Sequence, residues 1–207
     1  LDEAWGVAFG PSGHFYVSNV NGNNVLRYDG NTGEFVDEFV IAGAGGLQRP
    51  RGLAFDENGE LLVCDDANNR VLRFDGDTGH FLDVFVGDNP DTTNVDESGG
   101  LDGPYDLVFG LDGNLYVGSR WTSSVLRYDG GTGEFIDEFV PVSSGGLAGP
   151  EGLEFGPDGN LYVVSYANHK VIRYDGTSGD FLNDFVTSGG GGLFWPHSVA
   201  FGPENDA

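Results

Sequence analysis

The sequence predicts an all-β fold, a β-propeller of four-stranded antiparallel blades, with four complete repeats and the first strand of a fifth. A motif of arginine, an aromatic residue, aspartate and glycine recurs four times, at 27–30, 73–76, 127–130 and 173–176. A phenylalanine opens each repeat, and successive copies lie 46, 54, 46 and 46 residues apart, which is the period of propeller blades (Phe9, Phe55, Phe109, Phe155 and Phe201). No stretch has an apolar period of 3.6 residues, so we expect essentially no helix.

The fourth repeat indicates how a blade is built. Residues 152–155 predict a first strand, and the turn Gly156-Pro157-Asp158-Gly159 leads into a second strand over 160–164. A third strand is expected over 170–174, and the glycine-containing turn 175–179 leads to a fourth over 180–186. Leu161, Tyr162 and Val163 are consecutive, so both faces of the sheet are apolar, and each blade needs a neighbour on either side.

The repeats divide one propeller domain, or a portion of one, over residues 1–207. They span about 5–50, 51–104, 105–150 and 151–196, followed by a partial repeat over 197–207. Trp5 and His197 occupy the same repeat position, so both cannot open one blade of a closed four-bladed ring. Three alternatives remain: an excerpt of a longer propeller, separate chains that complete each other's blades, and an irregular closed ring. Because the chain starts at Leu1, almost inside a repeat, we expect that N-terminal sequence has been removed.

The composition limits the partners. There are 33 acidic and 9 basic residues, so the net charge of -24 repels nucleic acid and anionic lipid. No run approaches the roughly 18 apolar residues of a membrane span. The acidity suits an extracellular or secreted protein, or one from a saline environment, although a merely acidic surface is an equal alternative. Cys64 is the only cysteine, so it forms no internal disulfide and does not identify the compartment.

The second repeat carries a signature that resembles the NHL-type propellers. It consists of residues 50–55, followed by 58–63, Asp65 and 68–74. This broad group includes streptogramin lyase-like, gluconolactonase-like and amidating lyase-like proteins, and the resemblance covers essentially the whole chain. It implies the propeller fold and leaves the activity open, because such repeats serve enzymes, binding modules and assembly scaffolds alike.

Residues that are identical in every repeat are most simply structural. The recurring arginine and aspartate stand two residues apart on the third strand, as in Arg27 and Asp29, where they can bind each other or nearby backbone. The glycines after them supply the positive φ that turns require. We therefore assign these positions to the scaffold.

Residues that differ between otherwise constant repeats are free to serve a ligand. Just ahead of each innermost strand stands a different side chain, and in a propeller these would surround one mouth of the central channel (Trp5, Arg51, Tyr105, Glu151 and His197). Second strands run antiparallel to the first and end at the same mouth, which adds further candidates (Asp65, Asp66, Arg120 and Tyr166).

These residue types suggest several kinds of chemistry. Glu151 and His197 could act as base and acid or share a metal, and Arg51 or Arg120 could bind an anionic oxygen. Tyr105 or Tyr166 could stack on a ligand or donate a hydrogen bond to it. The enzymes that the chain resembles place such residues around a channel mouth, which favours the same arrangement here.

Calcium or another divalent cation is the candidate cofactor, although none is certain. It would take oxygen ligands from Asp65, Asp66 and Glu151, which lack the spacing of an EF-hand. The insertion over 87–98 carries four carboxylates and is a second candidate for calcium or a basic partner, against the simpler interpretation of a solvated loop.

The sequence as a whole favours a binding or assembly module that acts through the channel mouth and the incomplete blade. Its partner would be a small ligand, a glycan or a protein, including a second copy of the chain. The alternative is a metal-assisted lyase or lactonase with its active site at the same mouth. Whether the protein is an enzyme stays open at this stage.

Overall fold

A computed structural model describes residues 1–87 and 97–202. The strands of this part of the chain are β1 (Ala4–Phe9), β2 (Phe15–Asn19), β3 (Asn24–Tyr28), β4 (Phe35–Val40), β5 (Pro50–Phe55), β6 (Leu61–Asp65), β7 (Arg70–Phe74), β8 (Phe81–Val86), β9 (Pro104–Phe109), β10 (Leu115–Ser119), β11 (Ser124–Tyr128), β12 (Phe135–Val140), β13 (Pro150–Phe155), β14 (Leu161–Ser165), β15 (Lys170–Tyr174) and β16 (Phe181–Val186). Its helices are single 3₁₀ turns: Ala44–Gly46, Asp66–Asn68, Ser144–Gly146, Tyr166–Asn168 and Gly190–Gly192. Within the described ranges, no helix is long and apolar enough to cross a membrane.

The strands form four blades of a β-propeller. Strands β1–β4, β5–β8, β9–β12 and β13–β16 each make one four-stranded antiparallel sheet in chain order. The innermost strands pack in succession, β1 against β5, β5 against β9 and β9 against β13. The predicted strands of the fourth repeat are confirmed to within two residues at their ends.

The hydrophobic core lies between the blades. Tyr16 of the first blade is buried, and its ring lies 4.9 Å from Phe39 of its own blade and 4.9 Å from Phe55 of the next. Tyr116 of the third blade repeats the arrangement with Phe155 of the fourth, at 5.0 Å. Each blade therefore covers its neighbour with an aromatic residue that the repeat supplies, as the apolar character of both sheet faces predicts.

The fifth opening strand is not formed, which corrects one detail of the expected fold. Residues 197–202 have no strand conformation. They pack on the fourth blade instead, where the rings of Phe201 and Tyr162 lie 4.7 Å apart. A strand requires a hydrogen-bonded neighbour, and no second strand follows this segment in the residues described.

The recurring arginines pair with the fourth strand of their own blade. Nη2 of Arg27 lies 2.5 Å from Asp37, and Arg73 and Arg127 form the same pair with the equivalent aspartates. In the fourth blade Asn183 stands at this register position, and Arg173 contacts Asp158 at 3.4 Å. The arginines therefore bind an acidic residue across the sheet and not the aspartate two residues later.

The aspartates of the recurring motif hold the turns. Oδ1 of Asp75 accepts the backbone N–H of Thr78 at 2.8 Å and the Thr78 hydroxyl at 2.6 Å. These hydrogen bonds lower the pKa of Asp75, because they stabilise its charged form. Equivalent turn bonds lower the pKa of Asp29, Asp129 and Asp175. The assignment of these positions to the scaffold agrees with their contacts.

Candidate functional site

Arg51 lies at the centre of one side of the channel mouth. Its guanidinium carbon is 4.3 Å from the ring centroid of Trp5 and 4.5 Å from that of Tyr105. Its charge is balanced by Asp66 and by Glu3, each at 3.3 Å. The Arg51 side chain is only 3 % exposed, so this mixture of cation–π contacts and ion pairs replaces its hydration.

Arg120 continues the cluster on the other side of Tyr105. Its guanidinium carbon also lies 4.5 Å from the Tyr105 ring, and Nη1 donates to the Tyr105 hydroxyl at 3.1 Å. Nη2 lies 2.7 Å from Oε1 of Glu151. Arg120 therefore fixes the carboxylate of Glu151 while it stacks on an aromatic ring.

Glu151 joins Arg120 to His197. Its second oxygen, Oε2, lies 2.6 Å from Nδ1 of His197. The Glu151 side chain is 1 % exposed, whereas that of His197 is 54 % exposed. A carboxylate that accepts the Nδ1 proton leaves Nε2 with a free lone pair in the neutral imidazole. The arrangement is that of an accessible histidine oriented by a buried carboxylate, which is how a general base is commonly held.

The strand layout explains why these residues meet. Arg51, Tyr105 and Glu151 each follow the proline that begins an innermost strand, β5, β9 and β13 respectively, so all three stand at the same end of their strands. Arg120 follows β10 and Tyr166 follows β14, both antiparallel to the innermost strands. Trp5 and His197, which share a repeat position, have ring centroids 5.2 Å apart. Variation between repeats thus identified side chains that the fold gathers at one mouth.

Asp65 does not belong to this cluster. Its buried carboxylate accepts from Nε of Arg70 at 2.8 Å and from the backbone N–H of Gln48 at 3.1 Å. Asp66 does lie beside Arg51, and it also contacts Arg49 at 3.3 Å. The prediction of ligand binding by Asp65 therefore loses its geometric basis, because the side chain holds a loop and a neighbouring strand.

The residues proposed for calcium do not form a metal site. Asp65 is bound to Arg70, Asp66 to Arg51, and Glu151 to both Arg120 and His197. In the described part of the chain no three His, Cys, Asp or Glu side chains are grouped so that they could hold a metal ion. The candidate calcium loop of the insertion falls mainly on residues 88–96, outside the described residues.

The two arginines of the mouth are also poorly placed to capture an anionic ligand. Arg51 is neutralised by Glu3 and Asp66, and Arg120 by Glu151. An incoming anion would have to compete with these carboxylates, and Asp66 and Glu151 are themselves buried, so displacing them is costly. The arginines instead orient Tyr105 and Glu151.

Below the mouth, the innermost strands enclose a cavity of about 720 Å³, which we call the channel cavity. Trp5, Glu151 and His197 are among the residues that line it. Asp106 and Glu154 also line it, and neither was singled out from the sequence. A signal was present, because the other repeats have glycine or serine where Asp106 stands and alanine or valine where Glu154 stands (Gly6, Gly52, Gly152 and Ser198; Ala8, Ala54, Val108 and Ala200).

Asp106 has the most strongly perturbed carboxyl group of the cavity. Burial raises its pKa to about 7, and the negative charge of Glu154 adds to the effect. Hydrogen bonds from the backbone N–H groups of Leu153, at 2.9 Å, and Leu107 act in the opposite direction. Burial also raises the pKa of Glu154. Such perturbed groups in a cavity are typical of functional sites, although structural networks also produce them.

Comparison with protein families finds one match, to the NHL repeat, over residues 47–74. No similar sequence was found among curated proteins. Solved structures share the propeller fold. The described residues therefore form four blades of an NHL-like β-propeller, and the NHL repeat itself is matched over residues 47–74.

Three of the similar structures illustrate the range of functions. Virginiamycin B lyase from Staphylococcus aureus, solved with quinupristin as a catalytically inactive variant, is 17 % identical, with a TM-score of 0.68 over 96 % of this chain and 59 % of the lyase. A gluconolactonase from Xanthomonas campestris is 21 % identical, with a TM-score of 0.66 over 89 % of this chain and 62 % of its own. A nidogen/laminin complex contains a chain with 19 % identity and a TM-score of 0.73, covering 96 % of this chain and 69 % of the other. The chain thus spans less than two thirds of the lyase and of the lactonase, and at these identities the likeness establishes the fold alone.

Proposed function

We propose that the protein binds a small molecule at the channel mouth and that His197 transfers a proton to or from it. The observation that carries the proposal is the 2.6 Å contact between the exposed His197 and the buried Glu151. Glu151 orients the imidazole, and Arg120 holds Glu151 in place. Nε2 of His197 is then the atom that acts on the ligand.

This arrangement fits two reaction classes. In a lyase, Nε2 would remove a proton next to the bond that breaks, and in a lactonase it would remove a proton from the attacking water. Among the similar structures are a lyase, which is catalytically inactive as a His-to-Ala variant, and a gluconolactonase. The inactive variant of the lyase supports a proton-transfer role for the histidine of this chain, and the gluconolactonase supports only the choice of reaction class. The residues predicted to bind a metal do not fit one, so no step is assigned to a metal.

The test compares turnover by the wild-type protein with that of His197→Ala and Glu151→Gln. Lactones, esters and quinupristin would serve as substrates. His80→Ala is the matched control, because His80 is exposed in a turn of the second repeat and lines no part of the channel cavity. We expect losses of roughly 100-fold for His197→Ala, the scale of a lost general base, and no loss for the control. Equal turnover by wild type and His197→Ala on every converted substrate would rule out the proposed role.

A second candidate function, assembly, rests on two blade faces that the described residues cover only in part. Phe9 is 65 % exposed, whereas its counterpart Phe55 packs on Tyr16. Phe185 is 52 % exposed, although its counterpart Phe39 is only 5 % exposed. The front of the first blade and the back of the fourth thus lack the cover that internal blades receive, and a partner protein or a second copy could supply it.

The assembly function is tested by light scattering after gel filtration, across protein concentration and salt. Phe9→Asp and Phe185→Asp should each abolish association if the two faces dock together. Leu111→Asp is the control. Leu111 is 95 % exposed, and its replacement by aspartate adds the same charge away from the two faces. A wild-type monomer at every concentration would exclude self-association.

A further inference from the structure

The channel cavity has acidic and apolar walls, and His197 is its only residue with a basic side chain. Its lining includes the carboxylates of Asp106, Glu151 and Glu154, and no arginine or lysine is part of it. The charge of Glu151 is already balanced by Arg120 at 2.7 Å. Asp106 and Glu154 have no ion-pair partner among the described residues. The cavity therefore holds two carboxyl groups for which the described residues supply no opposite charge.

The positions of Asp106 and Glu154 make ionisation of their carboxyl groups unfavourable. Asp106 stands where the first, second and fourth repeats have glycine, at the point where innermost strands come closest. Its Oδ2 accepts the Leu153 N–H at 2.9 Å, a contact that the glycines of the other repeats cannot make. Burial and the mutual repulsion of Asp106 and Glu154 both oppose ionisation there. A bound cation would relieve both effects, since it supplies the missing opposite charge.

The rest of the lining is mainly hydrocarbon. Leu53, Phe55, Leu107, Val108 and Phe109 contribute apolar surface around the carboxylates. A hydrated metal ion gains nothing from such walls, and the described residues group no three ligands for one. An organic molecule buries its apolar part there and keeps its charged group against the acids.

We infer that the ligand of the channel cavity is an organic cation, a small molecule whose protonated amine pairs with Asp106 and Glu154 while its apolar part packs on the cavity wall. The inference deepens the proposed function and rests on it, because the same cavity opens at His197. It also replaces the expectation that Arg51 or Arg120 binds an anionic oxygen, since both arginines are already paired.

The test uses three probes of one shape and different charge: 2-phenylethylamine, 2-phenylethanol and 3-phenylpropionate. Binding is followed by NMR, from the backbone amide signals of Asp106 and Leu153, and needs no turnover. We expect the amine to bind about tenfold more tightly than the alcohol, which corresponds to about 1.4 kcal/mol, and the carboxylate not to bind.

A double variant, Asp106→Asn with Glu154→Gln, should remove the preference for the amine. Its matched control is Glu34→Gln with Glu134→Gln, which changes the net charge of the protein equally at exposed positions. The control separates a specific site from the general attraction of cations to a protein of charge -24. Melting temperatures establish that both variants are folded.

The inference is overturned if the alcohol binds as tightly as the amine, if calcium chloride alone shifts the same signals at lower concentration, or if the control variant loses as much preference. It is also overturned if no probe shifts the signals of the cavity. None of these results decides the proton-transfer role, which depends on the separate comparison of turnover by wild type and His197→Ala.

Discussion

Nδ1 of His197 lies 2.6 Å from Oε2 of Glu151, although the two residues belong to different repeats and are 46 positions apart in the chain. The repeat position of His197 carries a tryptophan, Trp5, in the first repeat. The propeller therefore builds an asymmetric site from a symmetric scaffold. The consequences can be tested through stability as well as through activity.

Glu151→Ala should destabilise the fold by about 3 kcal/mol, because it leaves the partly buried charge of Arg120 without its partner. Asp37→Ala is the control: Asp37 is 44 % exposed and pairs with Arg27 on the surface, so the expected loss is less than about 1 kcal/mol. Urea denaturation at neutral pH measures the free energy of unfolding of both variants. Similar losses of stability for the two variants would mean that burial does not strengthen the ion pair between Glu151 and Arg120.

Asp106→Asn should stabilise the protein at alkaline pH. The folded-state pKa of Asp106 is raised to about 7 from an ordinary value of 3.8, so ionisation costs stability as the pH rises through this interval. Below the ordinary value the two proteins should be equally stable. Above the folded pKa the variant should gain about 1 to 2 kcal/mol, since the carboxyl group lines an open cavity and water screens part of the effect.

The measurement for Asp106→Asn is the free energy of unfolding at pH 3 and pH 8, on either side of the interval between the two pKa values. Asp102→Asn, at an exposed position, is the control and should show no gain that grows with pH. A constant difference between Asp106→Asn and wild type at both pH values would contradict the assigned cause.

Gly52→Ala should cost about 2 kcal/mol, the usual range for overpacking. A Cβ at Gly52 would lie 2.6 Å from Cα of Asp106, so the innermost strands of the second and third blades would have to separate. Gly131→Ala is the control, because its Cβ would meet only the Asp129 side chain, at 3.5 Å. Thermal melting of both variants tests the prediction, and equal melting temperatures would show that the strands can move apart freely.

Cys64 should resist thiol reagents in the folded protein. Its side chain is fully buried, and burial raises the pKa of the thiol well above its ordinary value. We expect labelling by Ellman's reagent only at the rate at which the second blade opens. A cysteine introduced by Thr177→Cys, at an exposed turn position, should react at once and serves as the control. Rapid labelling of Cys64 under native conditions would indicate that this blade opens easily.

The scaffold was predictable because its signals are local. Short runs of strand-forming residues, turn glycines and the repeated aromatic residues act over a few positions, and the repeat presents them four times. The opening strand of the fifth repeat was mispredicted because a strand does not depend on local signals alone. Residues 199–201 have the composition of a strand, but a strand also needs a hydrogen-bonded neighbour, and composition does not reveal whether one is present.

The sequence by itself determined the blades, their order and the set of variable side chains at one mouth, since these follow from short-range periodicity. Only the tertiary structure decided which of those side chains pair: Glu151 with Arg120 and His197, and Asp65 with Arg70 away from the mouth. It also brought Asp106 and Glu154 into the lining of one cavity, where the charge of Glu154 acts on Asp106. Ion pairs and pKa shifts depend on distances of a few ångströms between residues far apart in the chain, and burial sets their strength. Neither quantity is encoded in the spacing of a single repeat.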